Sequence, residues 1–136
     1  SFFTGSLIKR FGAIVIIITG IFINLFCIII NLSGNDVLNF WMALFLLGIG
    51  WNFMFVSGTT MVTETYHPSE KAIVQGVNDF FVFGSAAFAS LFAGVLQTSI
   101  GWEAINFCAI FLLTIVIVAL IWYFFVLSYS KKLTTI

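Results

Sequence analysis

"AIVIIITGIFINLFCIII", Ala13 to Ile30, contains no charged residue and almost only large aliphatic and aromatic side chains. It lies inside a longer charge-free stretch, Phe11 to Asn35, and three more follow, Val37 to Thr63, Phe80 to Trp102 and Ala104 to Ser130. Each exceeds the roughly 20 residues a helix needs to cross about 30 Å of hydrocarbon. Backbone amides cannot be left unpaired in lipid, which restricts a spanning segment of this kind to a helix. The sequence therefore predicts an all-α integral membrane protein with four transmembrane helices, at about 13–30, 38–62, 77–97 and 104–127.

Composition points the same way. The 136 residues are 62% hydrophobic and 7% charged, where soluble domains carry about 25% charged residues, so an ordinary soluble domain is excluded. A secretory signal has one apolar core of about 7 to 15 residues, which four full-length spans do not resemble. Net charge is zero and no basic run occurs, so nucleic acid is not an expected partner and the lipid bilayer is. Cys27 and Cys108 fall in apolar spans and read as small buried thiols rather than a disulfide or metal pair. No catalytic group and no metal or cofactor site is expected. The chain opens on Ser1, and "SFFTGSLI" is apolar but too short to span. Residues 1–12 are read as the end of a preceding transmembrane helix and a loop, and the chain as the C-terminal piece of a larger membrane protein.

The basic residues set the orientation. Lys9 and Arg10 precede the first span, Lys71 lies between the second and third, and Lys131 and Lys132 follow the fourth, while "NLSGND" and "TSIGWE" contain none. Positive residues stay on the cytoplasmic side, which makes 63–76 a cytoplasmic loop and 128–136 a cytoplasmic tail. The first and fourth spans are apolar on every side and suit lipid. The second and third carry "GIGWNFMFVSGTT" and "GSAAFASLFAG", and such small residues let membrane helices pack closely. On the third span Ala86, Ala89, Ser90 and Ala93 form one stripe at 100° per residue, with Asp79 on the same side. Asp79 is expected within the first turn or so of that helix, where the dipole favours negative charge, pointing into the bundle or its mouth.

"GSLIKRFG" (Gly5 to Gly12) resembles the signature G-x-L-x-D-R-x-G of the major facilitator superfamily, as repeated between its eighth and ninth helices. Gly5, Leu7, Arg10 and Gly12 match, and Lys9 stands at the usual aspartate. "TETYHPSEKAIVQG" (Thr63 to Gly76) resembles the loop between the tenth and eleventh helices, with Glu64, Pro68, Lys71 and Gly76 at its acidic, proline, basic and glycine places. The resemblance covers nearly all of the chain. It implies that the four spans are the ninth to twelfth of twelve, part of the C-terminal six-helix bundle of a bacterial inner-membrane protein with a cytoplasmic C-terminus. It further implies a secondary active transporter moving a small solute by alternating access, driven by a coupling proton or cation or by the solute's own gradient, and completed by the N-terminal part of the same chain.

Secondary transporters bind solute near the bilayer midplane, which on the second span falls near Trp51 and Asn52. Asn52 needs a partner, because an unpaired amide in hydrocarbon costs several kcal/mol; another helix, cavity water or solute could supply it. Trp51, Asn52, Phe55 and Thr59 are the candidate cavity residues. The resemblance also implies a cytoplasmic gate in which Glu64 meets Arg10; Asp79, from its place near a helix end, reads either as a helix-capping charge or as a member of a gating charge network. His67 lacks a second His, Cys or nucleophile at useful spacing and reads as a solvated loop residue. The competing readings are a small four-helix exporter and a structural membrane subunit, each acting as an oligomer. The first requires an acid in the first span, which this chain lacks.

Overall fold

The computed structural model describes the backbone of residues 2–34 and 36–133, and the side chains of 3–34 and 36–126. Among these residues the fold is helical throughout: α1 (Phe2–Phe11), α2 (Ala13–Ser33), α3 (Val37–Thr63), α4 (Lys71–Ser99) and α5 (Trp102–Leu133), with a 3-10 turn at Pro68–Glu70 before α4. Four of the helices are long and apolar enough to cross a membrane, matching the four expected spans.

Their ends differ from the expectation in one direction. α1 continues through Lys9 and Arg10 to Phe11, α4 begins at Lys71 inside the expected loop, and α5 runs through 128–133 of the expected tail; 134–136 lie outside the described residues. Hydropathy marks where a helix leaves the hydrocarbon. Where the helix itself stops depends on breakers, and polar side chains such as Lys and Gln are good helix formers.

The breakers are few and local. Gly12, at φ 86°, separates α1 from α2 in a conformation that a side chain would strain. Gly101, at φ 106°, does the same between α4 and α5. Pro68 opens the 3-10 turn, where its missing N–H costs nothing, and the extended His67 before it is what a following proline imposes.

α2 and α3 form the principal packed pair. They run antiparallel: Gly20 lies against Gly50, while further along Cys27 Sγ donates to the Ala43 carbonyl at 3.1 Å. At the crossing, a Cβ on Gly20 would come within 3.0 Å of the Gly50 carbonyl oxygen. Between the backbones sits Asn24, which is buried and donates through Nδ2 to the Gly20 carbonyl at 3.0 Å and to Met54 Sδ at 3.4 Å. Burial within the chain concentrates in this pair. α2 buries Ile16, Ile17, Ile21 and Ile28, whereas α4 buries no residue among those described, because its small-residue stripe has no other described helix against it.

One prediction follows from the crossing. A Cβ on Gly50 would stand 2.5 Å from Asn24 Nδ2, so Gly50→Ala should cost about 1–3 kcal/mol, the usual penalty of overpacking. Thermal unfolding in detergent should show most of that loss relieved when Asn24→Ala is combined with it. An equal loss with and without Asn24 would mean the contact is not the cause.

Candidate functional site

The midplane face of α3 borders a pocket of about 380 Å³ between α3 and α4. Trp51, Phe55 and Thr59 line it from α3, and Asn78, Val82 and Ser85 from α4. Trp51 and Phe55 are one turn apart and therefore neighbours on the helix surface. Their rings stack in parallel, with centroids 5.8 Å apart and planes at 9°. Phe83 of α4 packs against Phe55 without lining the pocket, tilted at 55° with centroids 6.3 Å apart. The pocket is thus an aromatic surface faced by an amide, Asn78, and by hydroxyls, Thr59 and Ser85. Ser85 Oγ donates to the Val82 carbonyl at 3.0 Å, leaving its lone pairs as acceptors.

Asn52 does not line this pocket. Its Oδ1 accepts a 2.6 Å hydrogen bond from Thr4 Oγ1 of α1, and Thr4 is itself buried. Of the three partners the sequence allowed, the structure supplies the neighbouring helix. Three of the four candidate cavity residues therefore come together, and the fourth ties α1 to the far side of α3.

Glu64 and Asp79 stand near the α3–α4 pocket, within two residues of the lining Val62 and Asn78. Arg10 and Glu64 are both exposed, and no ion pair joins them. The Arg10 guanidinium instead lies 5.3 Å from the centre of the Phe11 ring. Glu64 ends α3: its backbone N–H donates to the Met61 carbonyl and that of Thr65 to the Val62 carbonyl. Asp79 is half-buried and accepts a 3.4 Å hydrogen bond from Asn78 Nδ2. Because α4 starts at Lys71, Asp79 stands more than two turns inside the helix rather than in its first turn. At that depth the dipole no longer accounts for it, since its effect fades within the first turn. Proximity to the pocket residue Asn78 remains.

A second crevice, of about 360 Å³, opens on the other side of α3, between α2, α3 and α5. Cys27, expected as a buried thiol, lines it together with Asn24 and Asn106, and neither amide was singled out from the sequence. The signal was present as isolated amides inside the two most apolar spans, but reading those spans as uniformly apolar concealed it. Trp51 and Met54 border both cavities, so α3 is a thin partition between them.

The chain matches the family model of the Major Facilitator Superfamily over residues 1–135. It belongs to the major facilitator superfamily. It is 50% identical over 121 residues to the riboflavin transporter RfnT of Brucella anthropi, an alignment covering 89% of this chain and 30% of that protein. Two MFS-type transporters of Bacillus subtilis named as uncharacterized, YddS and YdeG, are also similar. YddS is 32% identical over 61% of this chain and 19% of its own length, and YdeG 27% identical over 65% and 21%. The chain thus spans less than a third of the length of the curated relatives it matches. No solved structure matches it significantly. Family membership and the four spanning helices make this an integral membrane protein.

The Thr4–Asn52 bond links the side chains of α1 and α3, and its strength can be measured. Thr4→Val, which keeps the shape and removes the hydroxyl, should lower stability by about 1 kcal/mol, the usual net worth of such a bond. Combined with Asn52→Leu, a double-mutant cycle should give clearly non-additive losses. Additive losses would show the two side chains to be independent.

Proposed function

We propose that this chain is the C-terminal part of a secondary carrier that moves riboflavin, or a solute with a similar planar heteroaromatic ring, across a bacterial inner membrane by alternating access. The observation that carries this reading is the coincidence of two features. The chain shares half its aligned residues with a riboflavin transporter, and its α3–α4 pocket carries a wall of two stacked aromatic rings, Trp51 and Phe55. Flat rings stack on such a wall with a gain of about 0.5–1.5 kcal/mol per aromatic contact beyond area burial, while Thr59, Asn78 and Ser85 offer hydrogen bonds at its edge. Trp51 and Phe55 are the positioning surface in this reading, and Thr59 a polar contact. Asn52 serves the fold through α1.

The remaining helices of the carrier supply the other wall. α4 has no buried residue, and its small-residue stripe is the surface on which the N-terminal part of the carrier would close. Positive residues gather at the α1–α2 connection, the α3–α4 connection and the end of α5, which supports a cytoplasmic location for that end and for the C-terminus. Arg10 and Glu64 share this end. Their separation here fits a contact made in one conformation and released in another, as alternating access demands: Arg10–Glu64 closes when the carrier opens outward, with Asp79 beside it. A proton or cation is a possible coupling partner for the carriage, and no chemical conversion of the solute is involved.

Purified full-length carrier in proteoliposomes tests the reading. Labelled riboflavin should be taken up, and Phe55→Ala should weaken apparent affinity about three- to tenfold, the equivalent of one lost aromatic contact. Glu64→Gln and Arg10→Gln should each slow transport with less effect on affinity. An absence of riboflavin uptake by folded protein sinks the solute assignment, and unchanged rates in both charge variants sink the latch.

A further inference from the structure

The crevice between α2, α3 and α5 has a composition that packing alone does not explain. Two of its lining side chains are amides buried to nine-tenths or more, Asn24 at 8% exposure and Asn106 at 4%. Each uses its Nδ2 locally. Asn24 donates to the Gly20 carbonyl and to Met54 Sδ, and Asn106 to the Trp102 carbonyl at 3.1 Å. Neither Oδ1 receives a hydrogen bond among the described residues. Neither oxygen is sealed off either, since Ser57 Oγ is the one enclosed side-chain polar atom without a partner there. The two residues thus offer open amide oxygens, each able to accept a hydrogen bond from a donor on a ligand.

Its walls specify the rest of that ligand. Phe40, at the start of α3, and Trp102, at the start of α5, meet with centroids 5.8 Å apart at the connection end of the crevice. Trp51 lies deeper, about three turns further along α3. No Asp, Glu, Lys, Arg or His lines the cavity, and an ion placed there would be left uncompensated. The volume, about 360 Å³, falls in the range of small-molecule sites. The fitting ligand is uncharged, has flat aromatic area, and carries N–H or O–H donors. Phospholipid tails and their ester groups offer no donor and would leave both amide oxygens unsatisfied.

We infer that this crevice is a second binding site for the carried solute, separated from the α3–α4 pocket by Trp51 and Met54. This deepens the reading of the chain as a carrier of a riboflavin-like solute and rests on it. Riboflavin has the required chemistry, a flat uncharged ring system with an N–H and a hydroxylated side chain. Because Trp51 and Met54 border both cavities, a ring held in the outer crevice presses on the same side chains that a ring in the α3–α4 pocket stacks against, so occupancy of the two sites is coupled through α3.

Equilibrium dialysis of labelled riboflavin against the full-length carrier in nanodiscs, run to saturation, counts the sites directly. The expected result is two molecules per carrier, falling to one in Asn106→Leu, which removes the most buried acceptor. It should also fall to one in Leu112→Trp, which fills the crevice from an exposed position on α5 and so leaves folding intact if Asn106→Leu does not. One molecule bound by the wild type, with proteoliposome uptake present, overturns the second site while the transport reading stands. Two molecules bound by the wild type and by both variants overturns its placement in this crevice. No binding and no uptake removes the reading on which it rests.

Discussion

A bilayer gives two helices no hydrophobic reason to associate, because lipid tails are as apolar as leucine. Contact between α2 and α3 therefore depends on what is missing at their crossing. With no side chain on Gly20 or Gly50, the backbones come close enough for Asn24 to lie against Gly50 and span the gap to Met54. One amide thereby satisfies both its N–H groups in the membrane interior. The close approach also sets the height of every other side chain on α3 relative to α2, including the Cys27–Ala43 contact nearer the connection.

From that register follows the role of α3 as a partition. Its faces are assigned to different neighbours: Asn52 to α1, Gly50 to α2, Phe55 to the pocket shared with α4. Trp51 and Met54 stand where two cavities approach each other. In the proposed reading, a helix fixed on one side by a close crossing and carrying stacked rings on the other would serve as the wall for a flat solute.

Much of the fold was legible in the sequence, since its strongest signal, long uncharged stretches, is a direct consequence of the solvent. Polarity told less about helix ends: Lys71 and Gln75 mark the membrane surface, yet the helix passes through them. The placement of Asn52 shows what local periodicity can and cannot give. Its need for a partner was evident, but Thr4, 48 residues away, could be identified only once α1 was seen to fold back alongside α3. Asn24 and Asn106 went unnoticed because a single amide hardly alters the hydropathy of a span. The pairing of Arg10 with Glu64, implied by family resemblance, concerns two exposed groups that form no ion pair in this structure.

The central claim is that the Trp51–Phe55 face of α3 is where the solute ring is held. Cryo-electron microscopy of the full-length carrier with saturating riboflavin tests it most directly. The expected result is planar density stacked within contact of the Trp51 and Phe55 rings, between α3 and α4. Ligand density confined to helices outside this chain, with the Trp51–Phe55 face in contact only with lipid or protein, would contradict the account.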